Sequence, residues 1–297
     1  MEYNKQALDT PDLLALLKQR GLVITNEQEA LKTLSIISYF RLACYFRPME
    51  ADKQTHKFRE GSTLEQVMAL YEFDTALRDM VFCATRQIEV ALRTRINHHF
   101  SRNHSPFWFS QVDLATDGHL FAEHLSSVDR ELRRSKEEFI KEHFARYDKP
   151  TFPPAWKTLE LATFGTLSRM YSNFSDNAVK KQVARSFSIP QHEFMRNWLE
   201  NLTVVRNICA HHARLWNNYT SIQLRLPHRL PYSWLTNFNI PEGRLYPQLC
   251  CIAYWLNSID QKNTFVADFK ALLTKYPTVD TAAMGFPRGW QQEPLWH

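Results

Sequence analysis

STLEQVMALYEFDTALRDMVFCATRQIEVALRTRINHHF, residues 62–100, decides the fold. The stretch holds neither Gly nor Pro, and Ser62 with Glu65 has the spacing of a capping box at its start. Leu77, Val81, Ala84, Ile88, Leu92 and Ile96 recur at intervals of three and four, which is one face of an α-helix. Arg86, Glu89, Arg93 and Asn97 line another face, and the end, RTRINHH, is basic. An unbroken helix of this length reaches about 57 Å, enough to span a domain.

Working outward, the spacing predicts helices almost everywhere. Toward the N-terminus, Thr10 as N-cap, Pro11, a leucine repeat and Gly21 bound one helix. Thr25 with Gln28 resembles a capping box for the next. SYFRLACYFRPME, residues 38–50, leaves helix and strand unresolved. Toward the C-terminus, Pro106 closes the long helix, and residues 118–147 form a highly charged one with both signs interspersed, a solvated face. PTFPP at 150–154 is a stiff connector. A helix over 155–174 follows, with Gly165 admitting a close helix contact, and then a shorter one capped by Ser175 and Asp176. Pro227, Pro231, Pro241 and Pro247 mark an irregular, basic excursion with Arg225, His228, Arg229 and Arg244. Helices are expected at 247–260 and 262–276, and the tail from 277 as an extended segment packed on the body. With only 7 glycines, turn-rich β architecture is disfavoured. The expected class is all-α.

Composition bounds the surroundings. A chain of 297 residues that is 44% hydrophobic and 13% aromatic can build a real core. No apolar run reaches the roughly 18 residues of a membrane span, and the start, MEYNKQ, is too polar for a signal peptide. The expectation is a soluble, cytoplasmic protein with no membrane partner. Cys44, Cys83, Cys209, Cys250 and Cys251 contain no C-x-x-C and read as reduced core thiols. A net charge of +5 and a pI near 8.9 suit an acidic partner.

One further stretch carries chemistry. WLENLTVVRNICAHHARLWNN, residues 198–218, placed on a single helix, divides into two faces. Trp198, Leu202, Val204, Val205, Ile208, Cys209, Leu215 and Trp216 form the core side, with His212 toward it. Glu200, Thr203, Arg206, Asn207, Ala210, His211, Arg214, Asn217 and Asn218 form a polar strip of about 140°. A solvated helix face normally mixes Lys and Glu; this strip has no Lys and a single carboxylate. It holds groups that contact phosphate and move protons. Arg206 and His211, five apart, lie at opposite edges, so two copies of the strip facing each other would surround one scissile phosphate better than one. The pattern hints at a homodimer.

The sharp reading takes Arg206 and His211 as an R-x4-H ribonuclease site. Imidazole titrates near neutral pH and can take a proton from a ribose 2′-hydroxyl or give one to a leaving oxygen. A guanidinium fork stabilises charge developing on phosphorus, and Asn207 would hold a phosphate oxygen or orient His211. With 22 arginines and 12 histidines, about one such spacing arises by chance, and the chain has two. The second, Arg93 with His98, lies with Arg95 in the basic helix end and suits phosphate contact or a merely solvated role rather than catalysis. The alternative for the strip is a polar face hydrogen-bonded to the loop beyond it. Cys209, His211 and His212 fit no common zinc spacing, and no nucleotide-binding or hydrolase motif occurs; neither metal nor cofactor is expected.

RNICAHHARLWN at 206–217 resembles the R-N-x-x-x-H signature of HEPN-type ribonucleases. Most of the chain is similar to the Abi family of abortive-infection proteins, of the AbiD/AbiF type. The resemblance also rests on YFRLACYFRP (39–48), LYEFDTALRD (70–79), IEVALRTRI (88–96), PPAWKTLELATFGTLSRMYSN (153–173) and MGFP (284–287). It implies a HEPN-type helical bundle over residues 61–276, with an N-terminal helical extension (1–60) and a tail (277–297). It further implies phage defence and cleavage of single-stranded RNA at a site completed by dimerisation. Arg206, His211 and Asn207 take the catalytic roles, and Arg214, Arg93, Arg95 and His98 stand as RNA contacts. Some members associate with a small noncoding RNA, so the alternative is an RNA-binding protein whose nuclease activity is absent or restrained.

Overall fold

A computed structural model describes residue 2 and residues 6–297; most of the polar start, MEYNKQ, lies outside them. The described chain is all-α, with twelve α-helices and one two-stranded antiparallel ribbon, β1 (Glu50–Asp52) and β2 (Lys57–Phe58). No helix among the described residues is long and apolar enough to cross a membrane.

The chain divides into two compact units. The first comprises the described residues up to Leu77 together with Ala271–Val279. It holds α1 (Thr10–Gln19), α2 (Glu27–Ile36), α3 (Tyr39–Phe46), the ribbon and the opening turns of α4 (Leu64–Asn103). Leu14 and Leu17 of α1 and Ala30 and Leu34 of α2 are buried. On α3, the ring of Tyr45 meets Tyr71 edge-on at 5.4 Å, and its hydroxyl donates to the fully buried carboxylate of Asp74. These contacts tie α3 to the start of α4. The segment 38–50, which its spacing leaves between helix and strand, is helix α3, a 3₁₀ turn and the start of β1.

The second unit is Arg78–Lys270 with Asp280–His297. It contains the rest of α4, α5 (Gly118–Arg134), α6 (Glu138–Arg146), α7 (Ala155–Thr158), α8 (Phe164–Asn173), α9 (Asn177–Ser186), α10 (His192–Ala210), α11 (Leu245–Ile259) and most of α12 (Phe265–Lys275). The expected stripe of α4 is buried along its whole length. Every residue of α11 from Leu245 to Leu256 is buried; a helix apolar on all sides belongs in the middle of a core. α10 packs against α8, α9 and α11, with Gly165 letting Thr203 approach. The tail carries three 3₁₀ turns and packs on the body, seating Phe286, Trp290 and Trp296 against Phe269 and Tyr246.

Several helix ends differ from the expected ones by a residue. Asp9 rather than Thr10 caps α1, and Asn26 rather than Thr25 caps α2, accepting from the Glu29 amide at 3.1 Å. The capping box of α4 is Thr63 with Gln66, each side chain 3.2 Å from the other's backbone N–H. In each case two capping-type residues are adjacent, and the winner is the one whose oxygen reaches the amide three residues on. The segments 118–147 and 155–174 each break in two, at Ser135–Glu137 and at Leu159–Thr163.

Candidate active site

The strip on α10 is shorter than the sequence suggests. The helix stops at Ala210, and the chain reverses at His212, whose φ is 54°. The His212 amide donates to the Cys209 carbonyl (3.1 Å) and the Ala213 amide to the Ile208 carbonyl (3.0 Å), the paired bonds of a Schellman motif. α1 ends in the same way at Gly21 (φ 91°). At α10 a histidine takes the glycine's place, one of the few side chains that tolerate the left-handed region. The expected continuous helix to Asn218 is therefore wrong. His212 is exposed rather than on the core side, and Arg214 lies half-buried beyond the helix end. Leu215 and Trp216 are buried from a non-helical segment, and Asn217 leaves the strip to accept from Arg244 Nη1 at 2.7 Å.

What remains of the strip gathers at the last turn. Arg206 is 31% exposed, and its Nη1 donates to Asn207 Oδ1 at 3.2 Å. The Asn207 carbonyl accepts the His211 amide at 3.0 Å. Asn207 thus touches Arg206 through its side chain and His211 through its backbone. The His211 imidazole is exposed and makes no hydrogen bond to a described residue.

Helix α4 holds Arg206 from the other side. Glu89 Oε2 lies 3.9 Å from Arg206 Nε, and the Phe82 ring centroid lies 6.0 Å from its Cζ. The second oxygen of Glu89 accepts from Arg93 Nη2 at 2.7 Å, an i,i+4 ion pair in the favourable order. Arg93 Nη1 donates to the backbone carbonyls of Leu159 and Ala162, at the turn between α7 and α8. A guanidinium buried to 8% exposure requires such partners. Fixed carbonyls anchor Arg93, Arg93 fixes Glu89, and Glu89 forms a long ion pair with the part-exposed Arg206.

The structure separates the expected site residues. Arg206, Asn207 and His211 come together, whereas Arg93 is buried and donates to the Leu159 and Ala162 carbonyls and to Glu89. Arg95 is half-buried, its guanidinium 4.0 Å from the Phe187 ring and donating to the Ser186 carbonyl; burial lowers its pKa. His98 is exposed and stands edge-on to His99. The resemblance marks Glu89 with Arg93 as a second polar block, structural or RNA-contacting, while the neighbour Phe82 is not singled out by the sequence.

The thiols also differ from expectation: Cys209, Cys250 and Cys251 are buried, but Cys44 is half-buried and Cys83, beside Phe82, is exposed. Two cavities lie elsewhere, an apolar one beside Trp108 and His124 and a cleft of about 210 Å³ between Gln223, His228 and Phe238. Arg206 and His211 line neither. The cluster offers a part-exposed guanidinium beside Glu89 and an exposed imidazole.

A family model described as Abi-like protein matches residues 32–217, well over half of the chain. Comparison with curated proteins gave no match, and comparison with solved structures gave none either. The matched span runs from α2 to just beyond the end of α10 and takes in Glu89, Arg93, Arg206, Asn207 and His211. The chain therefore belongs to the family of Abi-like proteins, a membership that supports a role in abortive infection by phage.

Proposed function

We propose that this chain is the protomer of a metal-independent endoribonuclease of the HEPN type, close to the AbiD/AbiF branch, that cuts single-stranded RNA in the cytoplasm during phage defence. The observation that carries the reading is the Arg93–Glu89–Arg206 chain, which presents a part-exposed guanidinium one turn before an exposed His211. An imidazole removes the ribose 2′-hydroxyl proton, the oxygen bonds to the adjacent phosphorus, the P–O5′ bond breaks, and the departing oxygen takes a proton. The products are a 2′,3′-cyclic phosphate and a 5′-hydroxyl. One imidazole serves as base or as acid; a second copy of the chain, facing the first across this cluster, supplies the other. Arg206 stabilises the charge that develops on the phosphorane oxygens.

Incubation of purified protein with single-stranded RNA in the presence of a chelator tests this. Arg206→Ala and His211→Ala are each expected to slow cleavage by about 100-fold or more, with cyclic-phosphate ends on the wild-type products. Variants that cut as fast as wild type would sink the assignment. The basic end of α4 favours a second reading, in which the protein holds a noncoding RNA and the Arg206 cluster binds without cutting. Co-purified RNA with no cleavage by wild type would select it.

A further inference from the structure

Past the candidate site, α4 changes character. From Ala91 to Asn103 it carries Arg93, Arg95, His98, His99 and Arg102 and no carboxylate; α9 carries Lys180, Lys181 and Arg185 and likewise none. The two helices lie side by side in opposite directions. Arg95 Nη1 donates to Ser186 O at the C-terminal end of α9, the side-chain amides of Asn103 and Gln182 meet at 3.1 Å, and His104 Nε2 sits 3.1 Å from Asp176, the cap of α9.

Their cations sort into two sets. Arg93 and Lys180 are buried, Lys180 donating to the Ser172 carbonyl at 3.0 Å. His98 and Arg102 on α4, and Lys181 and Arg185 on α9, are exposed i,i+4 pairs. Each pair stands next to the residues that form the seam, so two rows of positive charge flank it. No described carboxylate forms an ion pair with these four side chains; Asp176 and Glu193 stand 3.1 Å from His104 and 3.2 Å from His192. Like charges gathered with no opposing side chain repel one another unless a polyanion lies across them.

We propose that this α4–α9 ridge is a second phosphate-binding surface, which grips the RNA backbone away from the scissile bond. The proposal rests on the reading of RNA as the partner, but not on cleavage. Along α4 the ridge residue Arg102 lies about 20 Å from Glu89, so a trinucleotide reaches one surface and a longer strand reaches both. Lys181 and Arg185 are absent from the RNA contacts expected from the sequence, because only the packing of α9 on α4 brings them to the basic end.

The test measures binding of a fluorescent 30-nucleotide single-stranded RNA, across a salt series, to the full chain carrying His211→Ala, so that cutting cannot interfere. Replacing Arg102, Lys181 and Arg185 together by Ala is expected to flatten the slope of log K against log salt by about 2, and to weaken binding on the order of 100-fold at 0.1 M salt. The charge-retaining set Arg102→Lys, Lys181→Arg and Arg185→Lys should bind like its parent, which guards against misfolding. A triple-Ala variant with the parent's affinity and slope overturns the ridge, as does a parent that binds no RNA. Cleavage by the wild-type chain is scored separately, so the nuclease reading can fail while the ridge stands.

Discussion

Glu89 Oε2 stands 3.9 Å from Arg206 Nε, and its other oxygen is held by Arg93, itself fastened to two backbone carbonyls. A carboxylate shared in this way places a counter-charge beside the Arg206 guanidinium. Glu89→Gln keeps the shape and removes the charge, and is expected to slow RNA cleavage by about tenfold to 100-fold with little change in fold. Glu89→Ala leaves Arg93 buried without its counter-charge and should cost about 3 kcal/mol in urea unfolding. Full activity in Glu89→Gln would show that Arg206 needs no tether.

The two histidines at the end of α10 should separate cleanly. His211→Ala removes cleavage, whereas His212→Gly, which suits a φ of 54°, keeps both fold and cleavage. His212→Val forces a β-branched residue into the left-handed region and should cost about 1–2 kcal/mol relative to the glycine variant. Unfolding midpoints and cleavage rates for the three proteins check this, and loss of cleavage in His212→Gly would move the catalytic role by one residue.

Stability should fall on acidification below about pH 6.5. Burial lowers the pKa of His124 and of His143, and a neighbouring cation, Arg169 or Lys157, adds to the effect. The unfolded chain then binds more protons than the folded one, so stability rises with pH through this window and is fully present above it. Urea midpoints at pH 7.5 and 5.5 read the difference, and His124→Gln should shrink it. An unchanged gap in that variant would assign the acid sensitivity elsewhere.

The tail is part of the core of its unit. The Trp296 side chain is fully buried, 6.0 Å from Tyr246 and 5.4 Å from Phe269, centroid to centroid. Trp296→Ala is expected to lower stability by about 3–5 kcal/mol. Thermal unfolding within a degree or two of wild type would show that the tail merely rests on the surface.

The stripe on α4 was legible because a long run without Gly or Pro leaves helical periodicity as its main signal. The end of α10 was not, because AHHAR contains no helix breaker: the stop depends on a histidine accepting a left-handed conformation while Leu215 and Trp216 turn into the core. The break between α5 and α6 was hidden for a similar reason, as Ser135 accepts from the Glu137 amide and replaces helical bonds locally. Within the site, Arg206 and His211 could be chosen from chemistry and spacing. The Glu89–Arg93 pair was visible on its own helix, but its attachment to Arg206 is tertiary, and no local pattern announces it. The role of Arg93 stayed open between structure and RNA contact, because a wheel shows which side a residue occupies, not which carbonyls wait there.

Exposed Cys83 gives this protein a built-in place for a reporter. Burial pushes the Cys250 and Cys251 thiols up and leaves them unreactive, Cys209 is enclosed, and Cys44 is half-covered. A maleimide dye under native conditions should therefore fall mainly on one position, next to the Phe82 ring over which Arg206 lies. Quenching between two such dyes would test whether protomers pair, and a change in the emission of one on adding RNA would test whether it binds, without a cysteine being added or removed.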